Sequence, residues 1–149
     1  MSKVIGNQLT SEIIELLNQG KTTAVLSSVT EQGNPHAMPL HLMVAPDEKT
    51  IRIALLRNHQ TVENLTADGR AFLTLMEGED MAYGIRCRAG LVRDPMKGSK
   101  AMCMFHLEVE EVKSDTTATV ILIEGVKIKY RSPKSTEFFK RMFDELRNG

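Results

Sequence analysis

Apolar positions recur at two spacings along this chain. Leu9, Ile13, Leu16 and Leu17 fall three or four apart, the period of one helix face. Thr10 or Ser11 can cap that helix and Gly20 can end it. The pattern then turns strand-like. Residues 22–29 are rich in β-branched and small side chains and read as a strand. Residues 31–34 read as a turn, in which Gly33 and Asn34 tolerate positive φ. Residues 35–45 read as a second strand folded back on the first. Pro39 inside it has no N–H for a ladder, so it marks an edge, a bulge or an opening in the sheet.

Further strands are expected over 51–56, 71–76, 82–92, 102–112 and 118–130. Gly84 and Gly90 suggest bulges or close approaches in the 82–92 strand. In the 102–112 strand Met102, Met104, His106, Glu108 and Glu110 alternate with Cys103, Phe105, Leu107 and Val109, a half-buried pattern. A helix is expected from Thr61 as N-cap to about Gly69, and another opens at Ser132 and Pro133. Phe138, Phe139, Met142, Phe143 and Leu146 form the apolar face of the second. Six or seven strands with short connections and three marginal helices favour an antiparallel, closed or nearly closed sheet. The chain has 149 residues, which suits a single domain spanning 1–149.

Charge narrows the function classes. Nineteen basic residues balance nineteen acidic ones, which argues against a dedicated nucleic-acid binder. No apolar run approaches a membrane span, and the first residues lack the apolar core of a signal peptide, so the expected location is cytoplasmic. Cys87 and Cys103 have no metal-ligand spacing and sit in apolar runs. His36 and His41, five apart on a strand, fall on opposite faces and make no metal clip. The run Gly98-Ser99-Lys100 fails as a phosphate loop, because Arg93 stands where glycine is required. Arg86 and Arg88 share a strand face that reads as solvated, and His106 reads as solvated too. Met102, Met104 and the phenylalanine stripe read as core or subunit interface. The segment from Arg57 to Thr61 joins a buried strand to a helix start. A helix start presents unpaired N–H groups and partial positive charge, suited to a phosphate, with Arg57 and His59 beside it.

In order and spacing, Gly33-Asn34-Pro35-His36, the following apolar strand, the strand ending at Arg57, and Thr61-Val62-Glu63-Asn64-Leu65 resemble the flavin-binding split barrels. These include the pyridoxamine 5′-phosphate oxidase-like proteins. The resemblance covers about residues 10–95, and Tyr83-Gly84-Ile85-Arg86 matches a strand of that family. It implies a mainly β protein with flanking helices, a six-stranded antiparallel split β-barrel of Greek-key type. It also implies a homodimer with FMN near the interface, acting on a small-molecule substrate or redox partner. Met38, Pro39, Leu40 and His41 match the strand whose backbone lies along the flavin ring. Ala54, Leu55, Leu56 and Arg57 match the strand end leading to the phosphate, and His59, Gln60, Thr61 and Asn64 match the loop and helix start that receive it. Thr61 replaces a lysine common in the family, and Met38 and Pro39 replace polar residues. The C-terminal arginine and histidine signature of the true oxidases is absent, which points away from vitamin B6 oxidation itself. The implied chemistry is flavin hydride transfer, which needs no protein acid or base. His41 reads as a ring neighbour or a satisfied strand histidine. The rival readings are a non-catalytic FMN carrier, a cofactor-free β-barrel interaction module, and a deazaflavin in place of FMN.

Overall fold

The structure, a computed structural model, describes residues 2–149. Met1, the first residue of the expected domain, lies outside the described residues. In chain order the elements are β1 (Lys3–Gly6), α1 (Ser11–Asn18), β2 (Ala24–Val29), β3 (Pro35–Leu40), β4 (Met43–Asp47), β5 (Thr50–Leu56), α2 (Gln60–Ala67), β6 (Arg70–Glu77), β7 (Met81–Arg93), β8 (Met102–Ser114) and α3 (Pro133–Asn148). The mainly β, antiparallel expectation holds, with eight described strands rather than six. Their order is β3-β2-β6-β7-β8-β5-β4, and β1 pairs with β8. The short strand β1, unforeseen in the sequence, runs antiparallel to the end of β8.

The two ends of this sheet are β3 and β4, consecutive in the chain and separated only by His41 and Leu42. What reads as one strand over 35–45 is therefore two, serving opposite margins of one curled sheet. Pro39 lies on β3, which pairs only with β2, so its missing N–H falls on a terminal strand. Beyond the break, the Ala54 amide donates to the Leu42 carbonyl at 3.1 Å. The opposite margin is covered by a side chain: Asn18 accepts from the Ala45 amide at 2.8 Å and donates to its carbonyl at 2.9 Å. That pairing ties the end of α1 to β4 and leaves neither Ala45 backbone group bare.

One core fills the curl. Ile13 and Leu17 of α1 meet Leu26, Leu40, Ile53, Leu73, Ile85, Phe105 and Leu107, all fully or almost fully buried. A second cluster lies outside β5 and β8. There Met102, Met104, Ala54 and Leu42 pack under Met142, Phe143 and Leu146 of α3. The first half of β8 is thus buried on both faces, because α3 covers Met102 and Met104. His106 follows on that face and is only half buried. Burial, then the Arg52 guanidinium beside it, holds its imidazole below the ordinary histidine value.

Two other expectations change. Residues 118–130, read as a strand, belong to no ladder. Most of their apolar side chains are exposed, Ile123 to 83%, while Leu122 is partly buried. The segment is tethered to the β6–β7 turn, where Asp80 accepts from Leu122 N at 3.1 Å and donates to its carbonyl at 3.0 Å. The register shifts of β7 fall at Arg86/Cys87 and Leu91/Arg93 rather than at its glycines. Gly84 is the close approach that the sequence allowed for, since a Cβ there would lie 2.6 Å from the Phe72 ring, whereas Gly90 has nothing near it.

Candidate functional site

The break between β3 and β4 opens a groove of about 230 Å³. Met38, Pro39, Leu40 and His41 form one wall, Ala54, Leu55 and Leu56 of β5 another, and His59 stands at one end. Two sequence segments far apart in the chain therefore face one cavity, because β3 and β5 flank the place where the sheet fails to close. Four more lining residues were not anticipated as site residues. Leu42 and Met102 add to the floor, and Phe138 and Phe139 bring an aromatic wall from α3.

Within this apolar lining two imidazoles are the only titratable groups. His41 Nδ1 lies 2.9 Å from Thr23 Oγ1, and Thr23 is buried. The His41 ring also meets Phe139 at 6.4 Å between centroids, and Tyr130 backs Phe139 at 4.9 Å. His41 is consequently held on two sides. A hydroxyl partner donates to a bare ring nitrogen or accepts from a protonated one, so this contact survives either state of the ring.

The helix cap is not where the sequence puts it. The N-cap of α2 is His59, whose Nδ1 accepts from the Thr61 amide at 3.1 Å. Accepting there places the proton of the neutral ring on Nε2, leaving a donor at the groove end. Thr61, expected as the cap, sits two residues further on in the first turn and is wholly buried, and its Oγ1 has no hydrogen-bond partner among the described residues. Nε2 of His36 is likewise buried and unpartnered, and the His36 ring meets His59 edge-on at 6.1 Å. A buried polar atom without a partner costs about 1–3 kcal/mol, so two together at one helix start are unusual in a finished site.

The remaining expected residues surround this corner without lining the groove. Gln60 Nε2 donates to Asn64 Oδ1 at 2.9 Å, and Asn64 Nδ2 donates to Ser28 Oγ at 3.0 Å. Asn64 is thereby a buried brace between α2 and β2. The Arg57 guanidinium is engaged elsewhere, in an ion pair with Asp94 and a 3.4 Å contact with the Lys100 carbonyl. A larger hollow of about 440 Å³ lies on the outer face of the sheet around Phe72. Two of its arginines are spent on carboxylates, Arg70 on Asp68 at 2.6 Å and Arg86 on Glu111 at 2.7 Å. Among the described residues no group of three metal-ligating side chains exists, and no helix is long and apolar enough to cross a membrane.

Both cysteines are buried. Burial pushes the Cys87 thiol up to about 12 and the Cys103 thiol up to about 11, so neither offers a thiolate near neutral pH.

The fold has counterparts. A family pattern described as pyridoxamine 5′-phosphate oxidase matches residues 9–130. YclD of Bacillus subtilis, itself uncharacterised, is 28% identical over 127 residues, which are 83% of this chain and 81% of that one. A Lactobacillus delbrueckii protein provisionally described as a pyridoxamine 5′-phosphate oxidase superposes with a TM-score of 0.64 at 20% identity, covering 75% of this chain and 98% of that one. An FAD-binding protein of Mesorhizobium loti superposes with a TM-score of 0.55 at 12% identity, covering 76% and 96%.

Proposed function

This chain belongs to the pyridoxamine 5′-phosphate oxidase family, and on that premise we propose that it is an FMN-binding flavoprotein, an oxidoreductase working as a homodimer on a small molecule. The observation that carries the reading is the groove at the sheet's break. Its walls are apolar and partly aromatic, it has one hydrogen-bonding imidazole at its side, and it ends at a helix start with two unpartnered buried polar atoms. A flat ring with an anionic tail matches that distribution of polarity.

Bound flavin supplies transfer of two electrons as hydride. The chain supplies the surroundings. Met38, Leu40, Leu55 and Met102 keep water from one side, while Phe138 and Phe139 close another. Pro39 prevents a further strand from pairing there, which keeps the wall open to a ligand. His41, steadied at Nδ1 by Thr23, lines the groove and would leave its other ring nitrogen to hydrogen-bond a bound ring. His59 carries its Nε2 proton toward the tail end.

The dimer enters through the size of the groove. Sites that bury a ligand usually measure roughly 300–1,000 Å³, and a single chain offers less than that range. The exposed apolar segment through Ile121, Ile123 and Ile128 ends at Tyr130, which packs on the groove's own Phe139. A second copy seated on that segment completes the enclosure. Titration of the purified chain with FMN, followed by flavin fluorescence, tests the reading: saturable binding near one flavin per chain is expected, and no binding overturns it. Anaerobic addition of NADH or NADPH separates the oxidoreductase from a non-catalytic carrier, since only the former bleaches its flavin.

A further inference from the structure

We propose that Phe138 and Phe139 of α3 form the substrate wall of the groove, and that they select an uncharged, flat aromatic molecule to meet the bound flavin. The proposal rests on the flavin reading above and names the substrate class for the same groove. The family pattern ends at residue 130, so α3 and its phenylalanines lie beyond it. Both rings line the groove, and both are half-buried, which leaves part of each ring to a ligand. Phe139 is fixed in place by the rings around it. Tyr130 lies at 4.9 Å between centroids, Phe138 at 6.0 Å, Phe143 at 6.3 Å and His41 at 6.4 Å, each tilted or edge-on. None of them stacks flat on Phe139, so a flat ring in the groove is the partner left to do so.

Charge narrows the class further. No lining residue carries a permanent charge, and His41 and His59 are the only titratable ones. The nearby cations are engaged elsewhere. Arg57 is paired with Asp94, and Arg141 lies over the Phe138 ring at 5.8 Å without lining the groove. A charged substrate would leave water for a wall with no counter-charge, a cost that a neutral ring does not meet.

The experiment uses the FMN-loaded, oxidised chain and two probes that share one ring system. At neutral pH 2-naphthol is uncharged and 2-naphthoate is an anion. An electron-rich ring stacked on oxidised flavin adds a long-wavelength absorbance band, so 2-naphthol binding is read without turnover, and 2-naphthoate is read by displacing it. Circular dichroism and urea unfolding confirm that each variant is folded. Wild type is expected to bind 2-naphthol saturably, and about tenfold or more tighter than 2-naphthoate. Phe139→Ala is expected to weaken 2-naphthol about tenfold or more and FMN less than about threefold. Phe139→Leu, which keeps apolar bulk without an aromatic face, is expected to weaken 2-naphthol about threefold or more, and Phe139→Tyr to keep it. Phe138→Lys is expected to reverse the preference toward 2-naphthoate. Equal affinity of wild type for the two probes would overturn the proposal, as would no binding of 2-naphthol to the FMN-loaded chain. Equal losses of FMN and 2-naphthol in Phe139→Ala would overturn it too, by giving the wall to the cofactor alone. Failure of wild type to bind FMN would instead overturn the flavin reading, and this proposal with it.

Discussion

His59 has two separable jobs, and substitution can part them. Its Nδ1 caps α2, and its Nε2 proton stands at the groove end. Losing a side-chain cap costs about 1 kcal/mol, and asparagine is among the best caps. His59→Ala is therefore expected to lower unfolding stability in urea by about 1 kcal/mol and to weaken FMN as well. His59→Asn is expected to keep the stability and still weaken FMN. Stability lost equally by both variants would remove the capping role. This cap was not legible beforehand because a ring nitrogen lies outside the usual Ser, Thr, Asp and Asn signal, and Thr61 two residues later carries that signal. The thiols make a simpler case. With Cys87 up at about 12 and Cys103 at about 11, both buried, an aromatic disulfide reagent at pH 8 is expected to label the native chain only as fast as it unfolds.

The element that most changes the groove is α3, whose docking turns on one carboxylate. Glu145 accepts from Arg93 at 2.8 Å, from Lys97 N at 2.9 Å and from Gly98 N at 2.7 Å. Burial alone would push its carboxyl up, but the Lys97 amide, Arg93 and the Gly98 amide outweigh burial and hold it below the ordinary glutamate value. A carboxyl held low in the folded state stabilises it fully above the ordinary value of 4.5. That contribution fades as pH falls through the lowered value. Glu145→Gln is expected to cost about 2–3 kcal/mol at pH 7, judged by thermal or urea melts. The difference from wild type is expected to shrink below about pH 4. Because Phe138 and Phe139 ride on α3, the variant should also bind FMN more weakly. Two phenylalanines beyond the core's needs gave a sequence signal for α3, but one that fits a core stripe as well as a cavity wall. The break at His41 and Leu42 was signalled only by Pro39, because apolar residues run straight through it. Segments 38–41 and 54–56 were legible as groove walls through the ordered motifs they share with a family, not through periodicity, which carries no information on which strands end up as margins.

At the scale of the whole molecule, residues 118–130 show where local pattern stops being informative. Val120, Ile121, Ile123, Val126, Ile128 and Tyr130 carry strong β propensity, yet among the described residues they pair with no strand. Propensity registers a suitable surface, and on the homodimer proposal a second copy supplies it. A contiguous run of exposed branched side chains is uncommon on a protein that stays monomeric. A second copy covering it would also account for the groove, which is small and open when one chain stands alone. The paired substitution Ile121→Lys and Ile123→Lys puts two charges into the most exposed part of the run, where neither side chain belongs to the core. Wild type is expected to sediment at twice the 16.7 kDa chain mass and the variant at the chain mass. Circular dichroism should change little, since these side chains lie outside the core, while the urea midpoint should fall by the stabilisation that the partner copy supplies. FMN affinity should fall with the loss of the dimer. A variant that stays dimeric would move the interface elsewhere, and a monomer that binds FMN as tightly as wild type would show that one chain's groove is sufficient.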